Sequence, residues 1–156
     1  MQTLTQPAAL RAVPLVRRLL CLVYEALLLA ALVLVASFPL APLVQALPPP
    51  WGVYLQRLYV LVVAGAYLVW SWRHGGQTLA MKTWRIRLVR TDGAPVGLKQ
   101  AWLRYALAVL GLLAGGLGFV WALWDRERQF LHDRLANTRL VEADERLNAA
   151  RHATGR

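Results

Sequence analysis

The sequence predicts an all-α integral membrane protein. It has two transmembrane helices, a third apolar segment that spans or re-enters, and a small cytoplasmic β-hairpin. Three observations point there. Of 156 residues, 58% are hydrophobic and only 17% charged, where a soluble domain averages nearer a quarter charged. Mean hydropathy is +0.41. The apolar residues gather in three runs, 19–38, 53–72 and 105–124, each of about 20 residues, enough to cross a hydrocarbon core of roughly 30 Å at 1.5 Å per residue.

The first run follows Arg11, Arg17 and Arg18. A cleaved signal peptide shares that layout, but its apolar core is usually only about 7–15 residues long and is followed by a small-x-small site. An uncleaved anchor helix fits better. The linker FPLAPLVQALPPPWG carries no charge and five prolines. The segment after the second run carries Arg73, Lys82, Arg85, Arg87, Arg90, Lys99 and Arg104 against Asp92 alone. Basic residues concentrate in cytoplasmic loops. The N-terminus and the 73–104 loop are therefore expected in the cytoplasm and the proline linker outside. Trp51, Tyr54 and Tyr59 at one end of the second run, with Tyr67, Trp70 and Trp72 at the other, form the expected aromatic belts. The same bias accounts for the net charge of +10 and the pI near 11 without invoking nucleic acid.

Two readings of the third run stay open. A single pass would export the C-terminus. A bend at Gly115-Gly116 would make a re-entrant hairpin and return the tail to the cytoplasm; such a bend must be buried in protein, not lipid. Gly111 and Gly115 also form a GxxxG pair that would let another helix approach closely. In the basic loop, Trp84, Ile86 and Leu88 alternate with Arg85 and Arg87 and run into Asp92-Gly93, a hairpin signal. Pro95 confines the return strand to an edge. A lone hairpin is marginal in water, and TRLVE (Thr138 to Glu142) is the candidate third strand. Pairing with it requires the hairpin reading.

Glu25 is the sharpest chemical feature. A carboxylate at a helix centre costs about 2.5–3.5 kcal/mol on the insertion scale, so an intramembrane acid calls for a partner or a function. Arg18 lies seven residues earlier, just under two turns, on the same face and about 10.5 Å away by helical rise. If the tail is cytoplasmic, Arg104, His132 or Arg134 are alternative partners. A helix-packing ion pair, an ion- or proton-coupled carboxylate and a protonated, hydrogen-bonded acid all fit. Arg18 equally suits a simple positive-inside anchor. Asp133, in QFLHDRLANT, suits either a solvated charge on a short interfacial helix or a cap and salt-bridge partner for an arginine.

Other chemistry finds little support. Cys21 is the only cysteine, which rules out an internal disulfide. The three histidines, His74, His132 and His152, lack metal-ligand spacing, so no metal and no cofactor is expected. GGQTLAMKT fits neither a P-loop nor a Rossmann fingerprint; Gly75-Gly76 suits a helix end. No Ser-His-carboxylate arrangement is present, and an enzyme is not expected.

At these residues the chain resembles the RDD family of small bacterial membrane proteins, named for one arginine and two aspartates. RRLLCLVYEALLL matches the family's first motif, with Arg18 as the arginine and Glu25 in place of the first aspartate. HGGQTLAMKTWRIRLVRTDGAPV is similar to its Gly-x-Thr-Leu run, strand and Asp-Gly turn. WDRERQFLHDRLANTRLV is similar to its closing His-Asp-x-Leu-Ala-x-Thr motif, with Asp133 as the second aspartate. Ala80 and Asn137 stand where the family pattern has glycine. The resemblance spans residues 17–141 and implies a bacterial inner-membrane location, with 1–16 and 142–156 as polar tails. It implies no more than a role in transport of unknown ligands.

Two functional classes follow. One is ion or solute transport, which requires an oligomer because one copy has too few helices to surround a pathway. The other is a scaffold or accessory subunit assembling with a membrane partner. Anionic lipid head groups are expected partners of the basic loop, at roughly 1 kcal/mol per basic residue near the surface.

Overall fold

The computed structural model describes residues 13–125 and 129–143. The expected polar tails and Arg126, Glu127 and Arg128 lie largely or wholly outside them. Helix α1 spans Leu15–Ser37 and is stopped by Pro39 two residues later. Helix α2, Ala41–Ala46, carries proline in its first turn, where the missing N–H is harmless. Helix α3, Trp51–Arg73, returns against α1. The first two predicted runs thus become two 23-residue helices long and apolar enough to cross a membrane.

The distribution of burial along α1 is the reverse of that in a soluble helix. Its buried residues are Arg18 and Cys21, while Leu27, Leu34 and Val35 are exposed. A soluble protein would hide the leucines and solvate the arginine.

Gly76 ends the turn after α3. Its φ of +69° lies in the left-handed region, and a Cβ there would meet the Leu88 carbonyl oxygen at 2.7 Å. Helix α4, Leu79–Thr83, is capped by Thr78, whose hydroxyl oxygen accepts from the Met81 amide at 3.2 Å. Strand β1 covers Ile86–Arg90.

The expected local hairpin does not form. Asp92-Gly93 does make a turn: the Gly93 amide donates to Arg90 O and the Arg90 amide to Ala94 O, both at 2.9 Å. The return then stops. Pro95 has no N–H to continue the ladder, and helix α5 begins at Leu98. β1 instead pairs antiparallel with β2, Thr138–Glu142, from Ile86↔Glu142 to Arg90↔Thr138. The predicted third strand is the partner itself, and the sheet has two strands.

The third apolar run bends back. Helix α5 is Leu98–Leu113, starting seven residues before the predicted run. The chain reverses at Gly115 and Gly116, with φ of +74° and +81°, and returns through α6, Leu117–Val120, and a 3-10 turn, Trp121–Leu123. The two arms touch where Gly111 faces Gly118, so closely that a Cβ on Gly111 would lie 3.2 Å from the Gly118 Cα. Gly111 therefore closes the hairpin with Gly118; the expected Gly111/Gly115 docking face for another helix is corrected, because Gly115 forms the bend. Helix α7, Leu131–Leu135, then leads into β2.

The buried core lies at the sheet end. Ile86, Leu88, Leu140 and Phe130 pack there with Trp72, Met81 and Ala101. Hydrophobic burial of the ordinary kind is thus concentrated where the helix ends meet the sheet.

The hairpin makes a topological prediction. With Cys21 replaced by alanine, single cysteines at Asp92 and Ala143 should react with a membrane-impermeant maleimide from the same side of a sealed vesicle. Labelling from opposite sides would rule the hairpin out.

Candidate functional site

At the sheet end of α1, the charges that the sequence singled out are brought together. Asp133 on α7 is fully buried, at 0% exposure, and Arg104 on α5 and Arg18 on α1 are nearly so, at 5% and 3%. Arg104 grips one carboxylate oxygen of Asp133 with two donors: Nε lies 2.8 Å and Nη2 2.7 Å from Oδ1. The Arg104 guanidinium also stacks on the Trp72 ring of α3, 4.3 Å from its centroid. Arg18 has Asp133 and Asp125 within electrostatic reach. The Thr138 hydroxyl donates to the Asp133 backbone carbonyl at 3.2 Å, joining the cluster to β2.

A second carboxylate extends it. Asp125, also buried, accepts from Arg134 and from the Gln129 amide, the latter at 3.0 Å. Arg18, Arg104 and Arg134 are thus set against Asp125 and Asp133. Four elements, α1, α3, α5 and α7, meet on these side chains. Asp133 is a buried ion-pair partner rather than a solvated charge.

Several predicted partners are reassigned. Arg104 and His132 sit against Asp133, and Arg134 against Asp125, rather than pairing with Glu25. The reason is position: the carboxylates of Asp133 and Asp125 lie directly against these side chains, whereas Glu25, two turns beyond Arg18 on α1, feels Arg104 only through its charge. Glu25 accepts a hydrogen bond from the Thr78 hydroxyl, and the Tyr67 hydroxyl is within hydrogen-bonding reach. Among the described residues no ion pair forms at Glu25, with Arg18 or otherwise. Glu25 and Arg18 share a helix face but serve different contacts: one holds the α4 cap, the other faces Asp133 and Asp125.

His132 is buried and its ring stacks on Phe130 at 5.4 Å. Its Nε2 lies 3.6 Å from Asp133 Oδ1, beyond hydrogen-bond range. Burial pushes its pKa down to about 4, opposed by Asp133 and assisted by Arg104. The imidazole is neutral at neutral pH and carries no charge into the cluster. Among the described residues no group of three or more His, Cys, Asp or Glu is placed to hold a metal ion.

Three contacts were not singled out in the sequence. Arg17 donates to Glu142 Oε1 at 2.5 Å and to the Trp84 carbonyl at 2.6 Å, tying α1 to the one end of the sheet where β1 begins and β2 finishes. Gln100 donates to Ala136 O at 2.6 Å and Asn137 O at 3.1 Å. Asp125 read only as one acid among basic neighbours. The Arg17-Arg18 doublet was the available signal: consecutive helical residues point about 100° apart, so one reaches the core while the other reaches the sheet.

With this geometry in place, comparison with known proteins is direct. The RDD family model matches residues 12–137. The chain belongs to the RDD family. Arg18 and Asp133 fall at the end of the bundle just described, and Glu25 lies two turns further along α1. The chain is also 31% identical over 86 residues to the proline-rich antigen homologs of two Mycobacterium tuberculosis strains, CDC 1551 / Oshkosh and ATCC 25618 / H37Rv. That match covers 51% of this chain and 36% of each relative, so it spans about a third of their length. No solved structure matches the chain. Asn137 has φ +51°, a left-handed conformation that asparagine tolerates and glycine adopts freely, while Ala80 is fully buried.

Two outcomes follow from the cluster. Asp133→Ala leaves Arg104 buried without its partner and should destabilise the detergent-solubilised protein by about 3–5 kcal/mol. Arg134→Ala leaves the buried Asp125 with its Gln129 amide bond and with Arg18 within electrostatic reach, so it should cost less in the same denaturant titration. The second outcome concerns pH. His132 is depressed from 6.5 to about 4 on folding. Between those values the unfolded chain binds more protons, so stability is full above about 6.5 and falls as pH drops toward 4. The loss approaches on the order of 3 kcal/mol. His132→Gln should flatten that slope in unfolding curves measured across the window.

Proposed function

We propose that this RDD protein is a multi-pass inner-membrane scaffold or accessory subunit that assembles as an oligomer or with a membrane partner. In this reading the N-terminus, basic loop and sheet face the cytoplasm and the proline linker lies outside. The observation that carries the proposal is the Arg104–Asp133 pair and its Arg18 neighbour. The arginine and second aspartate that name the family are both committed to internal contacts joining three helices. Such a cluster fixes one arrangement of helices and sheet. The exposed leucines of α1 and α3 suit lipid or partner helices, and the exposed basic residues suit anionic head groups.

Transport of an ion or solute is the second reading, favoured by one specific observation. Glu25 Oε1 is buried in an apolar helix with no hydrogen-bond partner among the described residues. A carboxylate oxygen left that way is unusual in a packed interior and is a candidate for binding a cation or proton.

The readings separate experimentally. For a scaffold, Arg18→Ala should dissociate the assembly in size-exclusion chromatography with light scattering. Glu25→Gln should assemble normally, and purified protein in sealed vesicles should move no cation or proton under an imposed gradient. A gradient-driven flux that Glu25→Gln abolishes without loss of assembly would overturn the scaffold reading in favour of transport.

A further inference from the structure

Three exposed aromatic or leucine residues each stand three positions from an exposed cation: Trp70 with Arg73 on α3, Leu79 with Lys82 on α4, and Trp102 with Lys99 on α5. Residues three apart are neighbours on a helix surface. The Leu79 amide donates to the Tyr67 hydroxyl at 3.3 Å. Gly65 faces the Trp102 and Tyr105 rings, and the Tyr105 hydroxyl donates to Leu61 O at 2.7 Å. The starts of α4 and α5 therefore flank the last turns of α3.

The order within the pairs is informative. The contacts Gly65–Trp102 and Leu61–Tyr105 run in opposite chain directions, so α3 and α5 are antiparallel. In α3 the cation follows the aromatic, and in α5 it precedes it. Opposite chain directions with opposite orders place both cations on the sheet side and both aromatics on the apolar side. None of Arg73, Lys82 and Lys99 forms an ion pair among the described residues. Aromatic rings at head-group depth with ammonium and guanidinium groups just outside match an anionic lipid surface.

We infer that Arg73, Lys82 and Lys99 form a collar that binds the phosphates of anionic phospholipids in the leaflet on the sheet side. The inference rests on the membrane reading above and goes further, because it locates the head-group plane on three residues. Arg57, nearer the opposite end of α3, lies outside the collar.

The test uses the whole protein reconstituted with brominated lipids, reading quenching of its tryptophan fluorescence. Dibrominated phosphatidylglycerol should bind at least about fivefold better than dibrominated phosphatidylcholine, the factor that a single basic residue near an anionic surface supplies. The R73Q/K82Q/K99Q triple variant should bring that ratio to about one, while Arg57→Gln leaves it unchanged. Should the triple variant not fold, K82Q and K99Q singly replace exposed side chains, and each must lower the ratio. Equal quenching by the two lipids in the wild type, or an unchanged ratio in the folded variants, overturns the collar. Failure of the membrane reading would be seen separately, as release of the wild-type protein from membranes by alkaline carbonate.

Discussion

A carboxylate with no access to water organises the sheet end of this protein. Asp133 arrives on a five-residue helix that could not hold itself together alone. It is held because Arg104 donates a hydrogen bond from Nε to one of its oxygens and brings Nη2 into ion-pair contact with the same oxygen, and Arg18 lies within electrostatic reach. Burying a carboxylate carries a penalty of several kcal/mol, offset only when the partner geometry is good. That requirement disciplines the whole fold. α5 must present Arg104, α1 must present Arg18, and α3 must supply the Trp72 face on which Arg104 rests. α7 then delivers the chain to β2, whose pairing with β1 completes the sheet.

The same constraint accounts for the hairpin. For β2 to reach β1, the chain after α5 must come back to the end from which α5 departed. Gly115 and Gly116 permit the reversal with left-handed backbone, and the absence of side chains at Gly111 and Gly118 lets the two arms meet. Arg17, bonded to Glu142 and to the Trp84 carbonyl, fastens the first helix across the closed sheet. Glu25, two turns deeper, holds the Thr78 cap and so the orientation of α4. Arg17, Arg18 and Glu25 of one helix thus address different layers of the structure.

Much of this was legible residue by residue. The lengths of α1 and α3 followed from uninterrupted apolar runs, because hydropathy acts locally and additively. The Asp92-Gly93 turn, the Gly75-Gly76 helix end and the TRLVE strand were each readable from short-range backbone preferences. What those signals could not contain was the choice of strand partner. Asp92-Gly93 favours a return strand wherever one is available; here Pro95 and the early start of α5 removed it, and a segment about fifty residues away took its place. The glycines were recognised, but one motif supported both a helix contact and a bend, and only the Gly111–Gly118 approach separates them.

By itself the sequence determined the apolar helices, the ends of several elements, the family motifs and the residues whose burial needed a reason. Those properties depend on composition and on neighbours a few positions apart. The tertiary structure alone decided which charge meets which. Arg104 turned to Asp133 rather than Glu25, Arg134 to Asp125, and His132 became a neutral packed ring. Coulombic and hydrogen-bonding partners are selected within a few ångströms in a poorly polarisable interior, and that distance is set by the folding of the chain, not by separation along it.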